Sequence, residues 1–271
     1  MPSARGKLGS RRGGGERGQA LVIVSFGTSV PEARAAITAV EETLEQAATG
    51  YLCRRAFTSP TIRRILAGRG EEVPSLAQAL DSLREAGVER VAVQPTHLLY
   101  GYEYDKLKAE AEAAALPELA LGRPLLAGTE DIRRFARRLS AAYPPEAGRA
   151  VVLMGHGTEH FANAVYPALQ TALRLEGRED VLVGTVEGWP GLEDILRQLE
   201  PGGPRHIRLV PLMLVAGDHA RADMAEEWKP RLEQAGHTAS CVFTGLGELP
   251  WVQEMYRERL LQLLHMEQAV D

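Results

Sequence analysis

The chain has 271 residues, 45% of them hydrophobic and 25% charged, with a formal net charge of −5. This is the composition of an ordinary soluble globular protein, large enough for one big domain or two smaller ones, and it gives no reason to expect nucleic-acid binding. The two cysteines, Cys53 and Cys241, form no close pair, which argues against a disulfide framework and against a thiolate metal site.

Residues 1–19, MPSARGKLGSRRGGGERGQ, are rich in Gly, Arg and Ser, and a segment with so little apolar surface to bury is expected to be a disordered arm. Arg11-Arg12 invites an export reading, but the apolar stretch that follows is short and runs straight into the folded pattern. No segment approaches the ~18 apolar residues of a membrane span, so a cytoplasmic protein without a membrane partner is expected.

Short apolar runs then alternate with amphipathic stretches. Strands are expected at 20–26, 51–57, 90–95, 150–154, 181–186, 206–214 and 239–243. Helices are expected at 31–48, 75–87, 131–143, 163–177 and 224–236. Within the second of these helices Leu76, Leu80 and Leu83 recur at four- and three-residue steps, as one buried face requires. Pro230 should kink or shorten the last of them. Such alternation predicts an α/β fold with parallel sheets and helices on both faces.

The chain also repeats itself. Gly27-Thr28 and Gly157-Thr158 stand 130 residues apart, and Pro60 and Pro190, Ile65 and Ile195, and Leu66 and Leu196 keep that offset. Pro95 and Pro211, and Gly101 and Gly217, share an offset of 116. Two similar α/β lobes are therefore expected, at 20–127 and 128–271, with a ligand cleft between them.

Ligands of α/β sheets collect beyond the carboxyl ends of the strands. In the second lobe His156 follows VVLMG, Glu187 follows VLVGTV, and His219 follows IRLVPLMLVAGD, at steps of 31 and 32 residues. That is about one strand–helix–strand unit each, so consecutive strands would bring two imidazoles and a carboxylate to a common edge. Such a set suits a borderline divalent ion and leaves coordination positions open. Each residue also has a plainer reading. His156 can cap a backbone group in a tight turn, Glu187 can sit at a helix start, and His219 can be a first-turn residue behind an Asp218 N-cap.

The first lobe offers no such set. Under the 130 offset Phe26 stands where His156 stands, and Phe57 where Glu187 stands; under the 116 offset Glu103 stands where His219 stands. Phe26, Phe57, Leu98, Leu99, Tyr100 and Tyr102 would instead wall the cleft. His97 also falls at a strand end and is expected to line the pocket. Arg54, Arg55, Arg63, Arg64 and Arg221 are candidate partners for ligand carboxylates, or solvated face charges.

GHGT at 155–158, VEGWP at 186–190 and VPLMLVAGDHARADM at 210–224 resemble the anaerobic cobalt chelatases of cobalamin biosynthesis, the sirohydrochlorin cobaltochelatase family. SFGTS at 25–29 and QPTHLLYGYEYDKL at 94–107 are similar to the same family. The resemblance runs over about residues 20–265 and implies the class II chelatase fold, two similar α/β lobes around a cleft. It implies insertion of cobalt(II) into sirohydrochlorin with release of two protons. His156, Glu187 and His219 would be the metal ligands, and His156 also the proton acceptor. Phe26, Gly27, Thr28, His97, Leu98 and Arg221 are the expected substrate contacts. No tightly bound cofactor is expected, cobalt(II) being a substrate ion, and a homo-oligomer is left open. The alternatives are an iron chelatase for sirohaem on the same fold, a non-catalytic tetrapyrrole or metal carrier, and a metal-dependent hydrolase.

Overall fold

A computed structural model describes residues 18–199, 203 and 205–268, without the side chains of His219 and residues 266–268. The expected arm at 1–19 therefore lies, but for Gly18 and Gln19, outside the described residues.

The first half of the chain runs β1 (Gln19–Ser25), α1 (Arg34–Ala47), β2 (Leu52–Phe57), α2 (Pro60–Gly68), α3 (Leu76–Glu85), β3 (Arg90–Pro95), α4 (Tyr102–Ala113) and β4 (Glu118–Leu121). The second runs α5 (Thr129–Ala142), β5 (Arg149–Gly155), α6 (Val165–Leu175), β6 (Val181–Thr185), α7 (Leu192–Gln198), β7 (His206–Pro211), α8 (Asp218–Ala222), α9 (Lys229–Gln234), β8 (Thr238–Cys241) and α10 (Pro250–Gln268). The strands form two four-stranded parallel sheets, ordered β2-β1-β3-β4 and β6-β5-β7-β8. The same order in both confirms the α/β repeat read from the sequence.

Alternation along the strands sends side chains to opposite faces, and each face finds helices. On the outer side of the first sheet, Val22, Val24 and Val93 meet Leu76, Leu80 and Leu83 of α3 and Leu107 of α4. On the outer side of the second, Val152 and Met154 meet Ile195 of α7 and Met224, Trp228 and Leu232. The inner faces share one core. Leu21 and Ile23 of β1, Leu44 of α1, Phe135 and Leu139 of α5, Leu153 of β5, Leu169 of α6, and Tyr256 and Leu260 of α10 belong to one buried cluster. Each such side chain contributes about 1.5–3 kcal/mol by leaving water.

Local chemistry fixes the ends of several elements. Ser59 caps α2, accepting from the Ile62 amide, with Pro60 at the first turn where its missing N–H costs nothing. Ser75 and Gln78 form a reciprocal capping box on α3. The kink expected at Pro230 takes the form of a π turn, Asp223–Trp228, directly before α9. There the wider turn relieves the clash between the proline ring and the preceding carbonyls.

Helix α10 reaches back to the first sheet. Its Tyr256 hydroxyl donates to the Thr96 carbonyl at 2.6 Å, and burial holds that phenol well above its ordinary pKa. Arg259, 4% exposed, pairs with Asp131 of α5 at 2.5 Å, while Arg134 and Arg138 of α5 pair with Glu258 at 2.6 and 2.9 Å. No helix among the described residues is long and apolar enough to cross a membrane.

Candidate active site

The carboxyl ends of β1, β3, β5 and β7 open into one cleft of about 660 Å³. The first lobe contributes Phe26, Gly27, Thr28, Ser59, Ile62, Ile65 and Thr96 to Leu99; the second contributes His156, Tyr166, Leu212 to Val215, Gly217 and Asp218. Phe26 is 49% exposed and Ile65 39%, so the cleft presents apolar surface to whatever occupies it. Among the described residues that line it there is no lysine or arginine.

His156 lines this cleft, and Glu187 stands beside it. Past the end of the β5–β6 ladder, the Val186 amide donates to Gly155 O at 3.0 Å and the Glu187 amide to His156 O at 2.7 Å. That pairing carries both side chains out together, with His156 Nδ1 3.6 Å from Glu187 Oε2 and both side chains about two-thirds exposed. His156 Nδ1 also lies 3.1 Å from Gly157 O. A carbonyl only accepts, so Nδ1 carries the proton and Nε2 keeps a free lone pair.

Two glycines permit this approach. Gly157 has φ +83°, and a Cβ there would fall 2.4 Å from the Gly188 amide. A Cβ on Gly188 would fall 2.3 Å from Asn163 Oδ1. The loop after β5 and the loop after β6 thus touch backbone to backbone, as only glycine allows. Asn163 joins them: its Oδ1 accepts from the Thr158 amide at 3.1 Å and its Nδ2 donates to Trp189 O at 2.6 Å. The Tyr166 hydroxyl accepts from the Gly157 amide at 3.3 Å. Sequence reasoning missed Asn163 and Tyr166 as supports of the site, although both follow closely on the Gly157-Thr158 pair of the repeat.

The plainer reading of Glu187 does not hold. Helix α7 begins at Leu192, with Gly191 and Asp194 forming its cap, so Glu187 is left over from helix capping. The offset of 130 also fails here. Ser25 pairs with Phe57 and Gly155 with Thr185, so Phe57 corresponds to Thr185, and Ser59, bonded through its amide to Phe26 O, corresponds to Glu187. The loop at 186–189 is two residues longer than its counterpart at 58–59, and the offset returns to 130 at Pro60 and Pro190.

His219 is the second residue of α8, as Glu103 is of α4, and each helix follows a glycine, Gly217 or Gly101. The Arg221 amide donates to Gly217 O, so Gly217 rather than Asp218 caps α8. The side chain of His219 lies outside the described residues. Among the described residues no group of three or more His, Cys, Asp or Glu converges on a metal position, and the pair His156–Glu187 stands by itself.

Of the expected substrate contacts, Phe26, Gly27, Thr28, His97 and Leu98 line the cleft. Arg221 does not: its Nε donates to Ala216 O at 2.9 Å and its guanidinium lies 5.4 Å over the Phe243 ring. Arg55 pairs with Glu41, and Arg63 with Gln78. Both ring nitrogens of His97 are shielded from solvent and have no hydrogen-bond partner. Burial lowers its pKa to about 4, with the Glu103 carboxylate pulling the other way, so the ring is neutral at neutral pH.

Residues 19–265 match the family described as cobalt chelatase (CbiK). A sirohydrochlorin cobaltochelatase of Salmonella typhimurium is 37% identical over 260 residues, 92% of this chain and 97% of that protein. The sirohydrochlorin cobaltochelatase CbiKC of Nitratidesulfovibrio vulgaris is 35% identical over 254 residues, 89% of this chain and 88% of that protein. Among solved structures, SirB from Bacillus subtilis with Fe3+ superimposes with a TM-score of 0.65 at 17% identity, covering 91% of this chain and 95% of that one. The sirohydrochlorin chelatase SirB of Bacillus subtilis subspecies spizizenii, in complex with cobalt, gives 0.64 at 16%, covering 92% and 96%. At that identity the structural likeness shows a shared fold.

Proposed function

The chain belongs to the cobalt chelatase (CbiK) family, and from that membership and the geometry of the cleft we propose that it inserts cobalt(II) into sirohydrochlorin. The observation that carries the reading is His156 in the lining of an apolar cleft, with the Glu187 carboxylate 3.6 Å from its ring. His156 Nε2 and the Glu187 carboxylate hold the incoming ion, and His219 joins them from the start of α8. Nitrogen and oxygen ligands suit cobalt(II) and, unlike thiolates, release it readily to four ring nitrogens. The ion is a substrate and no resident cofactor takes part.

Phe26, Ile65, Leu98, Leu99 and Leu212 wall the space in which a flat macrocycle would lie. With no lysine or arginine among the described lining residues, the ring enters the cleft and its carboxylates stay towards solvent. Insertion breaks two pyrrole N–H bonds. A neutral imidazole is the natural acceptor near pH 7. However, a nitrogen already bound to cobalt has no lone pair for a proton, so His156 serves as ligand and as base only in turn.

The test is anaerobic incubation of the protein with sirohydrochlorin and cobalt(II), followed by absorption. Insertion well above the spontaneous rate is expected; a rate no faster than spontaneous overturns the reading in favour of a carrier.

A further inference from the structure

We propose that His160 is a positioning residue: bonded to Asp105, it sets the spacing between the metal-holding loop of the second lobe and the apolar wall of the first. The inference rests on the chelatase reading above. In that reading the ligands His156, Glu187 and His219 all belong to one lobe, while Phe26, Ile65, Leu98 and Leu99 wall the cleft from the other. Holding the ion is then a property of one lobe, and bringing it to the macrocycle a property of two.

His160 stands in the loop that carries His156 and caps the 3₁₀ turn Phe161–Ala164. Its Nδ1 accepts from the Ala162 amide at 3.1 Å, so Nε2 carries the ring proton. Nε2 reaches the first lobe, 3.3 Å from Asp105 Oδ2, with the His160 side chain 12% exposed. The ring also stands edge-on to Tyr102, centroids 4.9 Å apart at 77°. Both ends of this contact are fixed. In the second lobe the His160 amide donates to Thr158 Oγ1 at 3.1 Å and His160 O accepts from the Asn163 amide at 2.9 Å. Asn163 is the residue that ties the His156 loop to the Glu187 loop. In the first lobe Tyr102 and Asp105 lie in the first turn of α4, which follows closely on the wall residues Leu98 and Leu99. Tyr104 anchors that turn: it is buried, and its hydroxyl donates to Gly122 O at 3.0 Å.

The duplicated frame does not require the link. The offset of 130 maps His160 to Val30, and the offset of 116 maps Asp105 to Arg221. Val30 has no polar side chain, and Arg221 turns to Ala216 O and the Phe243 ring. The link thus accompanies the loop that carries His156 and has no equivalent at the loop that carries Phe26. Reacting groups must be held within about 3–3.5 Å in the right orientation, and a bond that joins the ion's lobe to the macrocycle's wall contributes to that alignment.

The test compares wild type, His160→Asn, Asp105→Ala, Asp105→Asn and the double variant His160→Asn with Asp105→Ala. Cobalt(II) affinity is measured by equilibrium dialysis without tetrapyrrole, and kcat and KM for insertion into sirohydrochlorin by absorption. His160→Asn keeps a cap for the Ala162 amide but is too short to reach Asp105. We expect cobalt(II) affinity and KM to stay within about twofold of wild type and kcat to fall about fivefold in His160→Asn and in Asp105→Ala, the size of one net hydrogen bond. The double variant should fall no further than either single one, and Asp105→Asn, which still offers an oxygen to Nε2–H, should keep most of the rate. Asp105 is 58% exposed, so its variants stay folded and carry the test even where His160→Asn does not. Wild-type kcat in both single variants overturns the proposal. So do losses that multiply in the double variant, a loss in Asp105→Asn equal to that in Asp105→Ala, or a parallel loss of cobalt(II) affinity, which would place His160 at the metal. A wild type that does not accelerate insertion overturns the chelatase reading itself, whereas an active wild type beside equally active variants overturns only the role of His160.

Discussion

Phe26 and His156 occupy the same position in two copies of one strand–loop arrangement. Both follow the first strand of their lobe, both precede a glycine with positive φ, +95° at Gly27 and +83° at Gly157, and both accept a backbone hydrogen bond from the neighbouring strand's loop. What the lobes share is strand order, register and the glycine turn, which folding requires. What they do not share is the set of side chains carried out on that frame. Phe26, Ser59 and Glu103 stand where His156, Glu187 and His219 stand. A duplicated frame thus separates residues that build the cleft from residues proposed to act in it.

Removing a proposed ligand should hurt most: His156→Ala and Glu187→Ala are each expected to lower the insertion rate about 10³-fold, or about 4 kcal/mol, with cobalt(II) affinity falling alongside. Wild-type rates in both variants would end the assignment. Next, Gly157→Ala must place a Cβ against the Gly188 backbone in a left-handed conformation, at a cost of about 3 kcal/mol by urea unfolding. Gly27→Ala meets only the Phe57 ring and should cost about 2 kcal/mol. Equal costs would mean the tighter loop contact of the second lobe is unimportant.

His97 gives a pH signature of similar size. In the unfolded chain it takes up a proton near pH 6.5, and in the folded one only near pH 4. Its contribution is complete above about pH 6.5 and is lost as pH falls towards 4, amounting to about 3 kcal/mol. The wild type should therefore lose about that much more stability than His97→Gln between pH 7.5 and 4; identical losses would contradict the buried neutral ring. Phe26→Ala, half exposed in the wild type, should raise KM for the tetrapyrrole about fivefold with little change in stability. The smallest effect tests the frame directly. Phe26→His with Ser59→Glu should create a second cobalt(II) site of about millimolar affinity in the first lobe, read as added stoichiometry at high cobalt; unchanged stoichiometry would show that matching backbone bonds do not suffice.

Periodicity and punctuation carried most of the fold into the sequence. Seven strands were visible as apolar runs: β1, β3, β5, β6 and β7 are largely buried, while β2 and β8 are edge strands buried only in part. The eighth, Glu118–Leu121, was not: it is a four-residue edge strand, only partly buried, so burial pressure left no run to read. The placement of His156 and Glu187 at neighbouring strand ends, and of Phe26, Leu98 and Leu99 in the first-lobe wall, was legible because parallel strands place their ends together; Phe57, Tyr100 and Tyr102, also expected in that wall, do not line the cleft. The match of Phe57 to Glu187 was not sound, since a two-residue lengthening between the matched prolines is invisible to a constant offset. Arg221 could not be placed from sequence, because a guanidinium long enough to reach the cleft is equally able to reach Ala216 O and Phe243. His97 showed only as a strand-end histidine; its lack of partners is a property of the packed cleft.

The return of α10 to the first sheet bears on the order in which the molecule can be made. Tyr256 bonds to Thr96 across 160 residues of sequence, and α10 supplies part of the core shared by both inner faces. During synthesis the first sheet emerges complete by Leu121, and α1 and α5 cover part of its inner face, yet the part that α10 covers stays open to water until residues 250–268 have been made. The growing chain must therefore carry some exposed apolar surface from Leu121 to Pro250, nearly half of its translation. The same closing step fixes Thr96, the residue beside His97, so the cleft acquires its final shape only when the last helix docks.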